Sequence, residues 1–432
     1  MFVLPMIFTG IMQQLYNIVD SLIAGNMLGD VELTAIGVST SVMFLYLAVS
    51  TGFSIGCGVV ISQYFGAKQY SHMKTAIYTA FISAIVVGIA LTVIGSVFID
   101  QLLDIMNTGD EIYKDAKDFF RVYQYSLVLI FAYNVCATVF ISLGDSKMPL
   151  FFLSISIVLN IILDIYFIAE RGIGVEGIAW ATFSCQVVAV ILSLFFLSVK
   201  LKKIVGNVKS KPYNYRTLKV MLKIAIPSVF QQSVISLGSL LVQRLVNNYS
   251  IDVTTAYYSA IKIDGLAVIP VVSVQNAIST FTAQNIGAKK YDRLNAGYKA
   301  ALSIDFVLCM LLGILIFTCA PMLISVFIKD NQRAVEIGAN YLHTVGGFYM
   351  VLALANTTNG VIRGYGAMKP FIGITLINLG SRVLFAYILT PIIGYKGIWW
   401  SMPLSWAVAT VFALLIYKYG KWRNVGQLID NS

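Results

Sequence analysis

Twelve apolar runs, each about 20 residues or longer, follow one another along the chain and limit its possible folds more than any other feature. An α-helix rises about 1.5 Å per residue, so a helix of this length crosses the roughly 30 Å hydrocarbon core of a bilayer. The sequence therefore predicts an all-α integral membrane protein with twelve transmembrane helices. The predicted spans lie at approximately 1–25, 33–64, 75–99, 119–143, 149–168, 174–199, 219–246, 254–283, 297–328, 338–362, 370–390 and 397–418.

The composition of the chain fits a membrane protein and argues against a soluble one. Of its 432 residues, 58% are hydrophobic and only 12% are charged, whereas soluble domains carry about 25% charged residues. The net charge of +10 would suggest a nucleic-acid partner in a soluble protein, but the basic residues here lie in short loops. We therefore expect the lipid bilayer, and no nucleic acid, as a partner.

The Lys and Arg residues are distributed unevenly between the two sides of the predicted membrane. One set of alternate connections, together with the C-terminal tail, carries 19 of them, and the opposite set carries six. Because positive loops stay in the cytoplasm, this bias predicts that both termini are cytoplasmic in a multi-pass protein of the bacterial inner membrane. The most basic interior stretch, 200–218, is predicted to be a cytoplasmic linker.

The two halves of the chain resemble each other. The stretch 63–70, after span two, matches 284–291, after span eight, at five of eight positions and an offset of 221. The stretches 174–180 and 394–400 are also similar. Because each half has an even number of spans, we expect a parallel repeat, which transporters use to build two lobes around a central cleft. The predicted parts are an N-terminal six-helix lobe at 1–199, a C-terminal six-helix lobe at 219–420 and a cytoplasmic tail at 421–432.

Polar residues on span one form a stripe along a single helix face. Gln13, Tyr16, Asn17 and Asp20 follow helical spacing. A charged residue within a span costs about 2.5–3.5 kcal/mol on insertion scales. We therefore expect this face to point toward a protein interior or a wet cavity.

A second polar group lies at a similar predicted depth in spans five and six. Asn160 and Asp164 are four residues apart and share a helix face, and Thr182 returns to the same depth on the next span. Together with Asp20 they are predicted to converge in the outer half of the first lobe. Such an oxygen-rich cluster suits Na⁺, while a pair of buried carboxyl groups also suits a proton. The sequence leaves these two alternatives open.

The second lobe has no acid at the positions that match Asp20 and Asp164. Its spans carry other polar residues instead, and we predict that they line a substrate cavity with Gln13, Tyr16 and Asn17; they are Gln231, Gln232, Gln243 and Arg382. Asp264 is expected near the membrane interface. Asp305, close to Lys299, either snorkels or pairs locally, or it has a functional role, and the sequence leaves these alternatives open.

Several motifs together resemble the multidrug and toxic compound extrusion family, called MATE, over nearly the full chain. They are the stretch from Pro5 to Asp20, the Gln-x-x-Gly-Ala-Lys motif after spans two and eight, and 363–366 before Pro370. The stretch 262–264 resembles the bacterial MepA-like branch. The resemblance implies efflux of organic cations, coupled to a cation gradient, by rocking of two lobes. It also implies a cytoplasmic leader before span one, whereas this sequence begins within the predicted first span; the sequence leaves open whether a leader is missing.

The resemblance further implies a cation-coupling site in the first lobe. Family members of one type carry an Asp in span one, an Asn and an Asp four apart in span five, and a Thr in span six. These positions correspond here to Asp20, Asn160, Asp164 and Thr182. NorM-type members carry acids in spans seven and ten, where this chain has amides, at Gln243, Asn356 and Asn359. These amides argue against a NorM-type cation site in the second lobe.

These observations predict a secondary active antiporter that exports organic cations or drugs in exchange for inward Na⁺ or H⁺. The chain has no phosphate-binding GxxxxGK[ST] loop and no HExxH motif, so we expect neither an enzyme nor a resident cofactor. We also expect a monomer. One alternative is a lipid-linked oligosaccharide flippase, which needs a strongly basic cavity, whereas only Arg244 and Arg382 are deep basic residues. Another is a polytopic membrane transferase, which would need clustered His or paired Asp residues.

Overall fold

Helices account for nearly all of the chain that the structure, a computed structural model, describes: residues 2–106, 108–328 and 331–424. No strand occurs among these residues. The helices of the N-terminal half are α1 Val3–Met27, α2 Asp30–Gly66, α3 Tyr70–Val97, α4 Ile99–Ile105, α5 Asp110–Ser142, α6 Lys147–Ile165 and α7 Val175–Val205.

The C-terminal half repeats this order of long helices. They are α8 Tyr215–Val246, α9 Ile251–Gly287, α10 Asp292–Ser325, α11 Gln332–Gly346, α12 Tyr349–Tyr365, α13 Met368–Ile393 and α14 Lys396–Tyr419. Two compact units divide inside α8, between Val229 and Phe230. We call them unit 1 and unit 2. The predicted lobe boundaries, with a linker at 200–218, stay a prediction.

The helices are long and apolar enough to span a membrane. Within the described residues nine helices qualify by length and hydropathy, and α11 with α12 forms a tenth, bent pair. The helices α1 and α8, of 25 and 32 residues, also exceed the ~20 residues that a span needs. Counted in this way, six spans precede the 206–214 connection and six follow it, which confirms the predicted all-α membrane fold.

The backbone confirms the internal repeat. Lys68 and Lys289, one in each repeated Gly-Ala-Lys motif, are the non-glycine residues with positive φ in the described chain, at 58° and 55°. Gly174 and Gly394 precede α7 and α14 with φ of 69° and 65°. Because a side chain is strained at positive φ, glycine is the residue that such a helix start accepts most readily.

Each unit has its own aromatic core and an apolar outer surface. In unit 2 the Tyr257 ring stacks on Trp399 with 5.6 Å between ring centroids. Along α10, by contrast, Phe306, Met310 and Phe317 are about half exposed. A soluble protein would rarely leave such a stripe bare, whereas lipid covers it at no cost.

Two backbone irregularities were not predicted. The tenth span is broken, because α11 and α12 meet at an angle of 48° across residues 347–348. The end of α6 widens into a π-helical turn, Tyr166–Glu170. A π-turn inside a helix is rare and often marks a functional site, and this one begins two residues after Asp164.

Candidate functional site

The polar stripe of α1 presents two kinds of side chain. Tyr16 and Asp20 are half-buried, whereas Gln13 and Asn17 are exposed. The amide of Asn17 donates to Gln14 Oε1 at 3.4 Å. The helix therefore turns its acid toward the interior of unit 1 and keeps two amides on an accessible surface.

The polar pair of α6 lies wholly inside unit 1. Asn160 and Asp164 have no exposed surface, and α1 packs against this helix. Burial of an ionised carboxylate without compensation is very unfavourable. Asp164 must therefore be neutral, hydrogen-bonded or paired with a cation.

The carboxyl groups of Asp20 and Asp164 meet in a hydrogen bond that joins α1 to α6. A carboxylate only accepts hydrogen bonds, so one member of a hydrogen-bonded pair has to carry a proton. To lie this close, the two acids therefore need a shared proton or a bridging cation. Without either, two negative charges would lie side by side in an apolar interior.

Tyr16 connects this acid pair to α7. Its hydroxyl lies 3.2 Å from Thr182 Oγ1, and it is also hydrogen-bonded to Asp20. On the same face of α7, three residues further on, buried Cys185 is hydrogen-bonded to Asn160. Hydrogen bonds therefore connect Asp20, Asp164 and Thr182 through Tyr16, and Asn160, the fourth predicted residue, is bonded to Cys185 beside them.

The chemistry of this network fits a small cation. It offers two carboxyl groups, an amide oxygen and two hydroxyl oxygens, which are the ligands that hard cations prefer. The same carboxyl pair fits a proton, because it is already hydrogen-bonded. That Asp20, Asn160, Asp164 and Thr182 bind the coupling ion stays a prediction.

Sequence reasoning assigned Tyr16 to the substrate cavity and did not single out Cys185. Both residues lie within the cluster of unit 1. Their signal is helical spacing: Tyr16 precedes Asp20 by four residues, and Cys185 follows Thr182 by three. Such spacing places residues on one face, but it does not tell which neighbouring helix that face meets.

The other predicted cavity residues lie in unit 2 and belong to separate local contacts. Gln231 and Gln232 are half-buried in α8. Gln243 donates to the hydroxyl of Tyr258. Arg382 is half-buried and interacts with Tyr257. Their role in lining a substrate cavity stays a prediction.

Two acids of unit 2 are buried and hydrogen-bonded to residues distant in the sequence. Asp264 is 7% exposed, and Tyr349 Oη donates to its Oδ1 at 2.8 Å; its depth in the membrane stays a prediction. Asp305 does not snorkel, since it has no exposed surface, and it accepts a hydrogen bond from Thr357. In both cases the partner lies on α12, far away in the sequence, so no local pattern indicates the contact.

A serine within a Gly-x-Ser-x-Gly pattern has no catalytic geometry. The pattern covers residues 52–56, which in hydrolases forms a sharp turn between a strand and a helix. Here it lies in the middle of α2, and Ser54 is only 2% exposed. Close packing explains the glycines instead, because a Cβ at Gly56 would lie 2.6 Å from the backbone nitrogen of Ala225.

Comparisons with known proteins match nearly the whole chain. The family model MatE matches residues 5–166 and 227–388, one copy in each half. The probable multidrug resistance protein YpnP of Bacillus subtilis (strain 168) is 28% identical, over 98% of this chain and 95% of its own. The multidrug export protein MepA of Staphylococcus aureus (strain N315) is 21% identical, over 96% of this chain and 92% of its own.

Solved structures share the fold. The outward-facing conformation of a multidrug resistance MATE family transporter of the MOP superfamily matches with a TM-score of 0.90. The match covers 96% of this chain and 94% of that one, at 23% sequence identity. The family resemblance stated from sequence motifs is thus confirmed.

Proposed function

The chain belongs to the MatE family, and we propose that it is a secondary active antiporter that exports organic cations in exchange for inward H⁺ or Na⁺. Relatives whose names describe multidrug resistance and multidrug export support the substrate class. The basic connections predicted to be cytoplasmic support an inner membrane location with both termini inside.

One observation carries the proposal: an acid from α1 and an acid from α6 share a hydrogen bond inside unit 1. A purely structural role would be served equally well by a neutral amide pair. Two carboxyl groups differ from such a pair because they can exchange a proton for another cation. An exchange of this kind is what coupling requires.

The network gives the ion a means to change the position of α1. The bonds from Asp20 to Asp164 and from Tyr16 to Thr182 hold α1 to α6 and α7. Loss of the shared proton replaces an attraction between Asp20 and Asp164 with repulsion. We infer that α1 then shifts, unless Na⁺ takes the place of the proton between the carboxylates.

Antiport follows if substrate and ion favour different positions of α1. A ligand shifts an equilibrium only by its differential affinity for the two states. Gln13 and Asn17 are exposed on the same helix face as Asp20, where an organic cation can contact them. In our proposal the substrate stabilises the deprotonated arrangement, and the proton or Na⁺ restores the bonded one. Alternating access of the two lobes completes the cycle.

Transport in proteoliposomes tests the proposal. Purified protein is reconstituted, ethidium is supplied, and either a Na⁺ gradient or a pH gradient is imposed, for the wild type and for Asp164→Asn. We expect ethidium movement driven by one gradient, with the driving gradient identifying the ion, and loss of the driven movement in Asp164→Asn. The amide preserves the size and a hydrogen bond of the acid, so the variant should fold.

A matched control comes from the same unit. Glu111 is exposed in the first turn of α5, and Glu111→Gln removes one negative charge outside the network. It should transport as the wild type does. Gradient-driven transport that persists in Asp164→Asn would sink the proposed coupling role. A folded wild type that moves ethidium under neither gradient would refute the proposed substrate class.

A further inference from the structure

Unit 2 contains a buried acid that the proposed coupling site does not use. Asp305 lies in α10, 13 residues after its first residue, Asp292, which places it about 20 Å along the helix. It has no exposed surface. Its helix neighbours Ile304 and Phe306 are exposed and apolar, so the acid faces inward from a helix that otherwise meets lipid.

The surroundings of Asp305 supply hydrogen bonding but no positive charge. Thr357 Oγ1 donates to Oδ2 at 2.5 Å, whereas Oδ1 is buried and has no hydrogen-bond partner. In the described part of the chain, no Lys, Arg or His forms an ion pair with Asp305. A buried carboxylate needs several donors or a cation, so a single donor suits the neutral acid.

Two titratable groups on α10 itself, Tyr298 and Cys309, interact with Asp305, and neither is a base that could supply a positive charge. Tyr298 is hydrogen-bonded to Thr358 of α12 at 2.8 Å, and its ring stacks on Tyr417 of α14.

The acid of α9 and the histidine of α11 also have partners of their own. Asp264 accepts its hydrogen bond from Tyr349, and His343 stacks on Phe317 with 5.2 Å between ring centroids. Neither contact brings a cation to Asp305.

The internal repeat indicates that helix packing does not require this acid. At the offset of 221, Asp305 corresponds to Ala84 of α3, which is buried. The stretch of α5 that corresponds to Thr357 carries Val135 and Cys136, both with no exposed surface. Unit 1 therefore joins the equivalent helices with apolar side chains, while unit 2 places a carboxyl group and its donor there.

We propose that Asp305, with Thr357 as its hydrogen-bond donor, is a second proton-binding site, located in unit 2. In the arrangement described here, Asp305 holds one proton. Its helix, α10, packs against α12, the helix that follows the 48° break. The inference deepens the proposed antiport, because it adds an exchangeable proton that is independent of Asp20 and Asp164. Release of that proton leaves a carboxylate with one donor, which favours a change in how α12 packs on α10.

Infrared spectroscopy of the purified protein in lipid nanodiscs tests the site without substrate or transport. A protonated carboxyl group has a carbonyl stretching band that a carboxylate lacks. We expect one component of this band to be present in the wild type and in Asp164→Asn, to be missing in Asp305→Asn, and to be lost reversibly as the pH is raised; the Asp20 and Asp164 pair contributes a separate component that Asp305→Asn keeps. Thr357→Val should shift the Asp305 component to higher frequency, because the carbonyl loses a hydrogen bond.

Asp292→Asn is the matched control, since it removes an exposed acid from the same helix and should leave the band unchanged. A spectrum of Asp305→Asn identical to that of the wild type at every pH would overturn the proposal. So would an Asp305 component that stays constant at every pH at which the protein remains folded, or one that added Na⁺ removes at fixed pH. The infrared band is measured without ethidium and without transport. A failure of the antiport proposal in proteoliposomes can therefore be told apart from a failure of the proposed Asp305 site.

Discussion

The contact between Tyr16 and Thr182 allows the role of α1 to be measured one hydrogen bond at a time. Thr182→Val removes the bond between the two hydroxyls, which are 3.2 Å apart. A bond of this kind contributes ~1 kcal/mol, which is about five-fold in an equilibrium constant. Tyr16→Phe removes the same bond and also the one to Asp20, for ~2 kcal/mol together, or about 30-fold.

The hydrogen bonds of Tyr16 stabilise the position of α1 in which the two acids meet. Loss of these bonds should therefore weaken binding of the coupling ion. The assay is stabilisation against thermal unfolding, titrated with Na⁺ at fixed pH and with pH in the absence of Na⁺. The half-saturation point should move about five-fold in Thr182→Val and about 30-fold in Tyr16→Phe. Tyr125→Phe, at an exposed tyrosine of α5, is the control.

The double variant provides the sharper criterion. The effects of substitutions within one network are not additive. Tyr16→Phe combined with Thr182→Val should therefore shift the half-saturation point no further than Tyr16→Phe alone. Effects that multiply would mean that the two residues act independently. Unchanged half-saturation in both single variants would refute the view that this contact positions α1 for ion binding.

Two further predictions concern helix packing in unit 2 and the ion pair between α4 and α5. Gly360→Ala places a Cβ 2.6 Å from the carbonyl oxygen of Gln275, which should lower the stability of unit 2 by ~1–3 kcal/mol, measured by denaturant unfolding in detergent. Lys117 donates to Asp100 and holds the pKa of that carboxyl below its usual value. The contact therefore stabilises the fold at pH values above the usual pKa of a carboxyl group, and this stabilisation is lost as the pH falls through the lowered pKa of Asp100. Lys117→Gln should move the titration of Asp100 to higher pH, which carbon NMR measures.

The fold could be predicted because hydropathy alone determines where a chain can cross a bilayer. Each predicted span falls on a helix or on the bent pair. The same signal contains nothing about hydrogen bonding within the backbone, so it missed the break at 347–348 and the π-turn Tyr166–Glu170. Both irregularities lie within apolar runs whose composition is that of an ordinary span.

The candidate site was predictable to the extent that it follows helix faces. The spacing of Asn160 and Asp164, and the depth of Asp20, bring these residues together without knowledge of the packing. The hydrogen bonds of Asp264 and Asp305 were not predicted, because their partners, Tyr349 and Thr357, lie 85 and 52 residues further along the chain. No local pattern connects residues that far apart.

Ion release on substrate binding tests the exchange site most directly. Purified protein in weakly buffered solution is mixed with tetraphenylphosphonium, and proton release is followed with a pH-sensitive dye, in parallel with release of bound labelled Na⁺. The account predicts that the wild type releases protons or Na⁺ as the organic cation binds, and that Asp164→Asn releases less of the same ion while it still binds the organic cation. Substrate binding by the wild type with no release of either ion, or equal release by Asp164→Asn, would contradict the account.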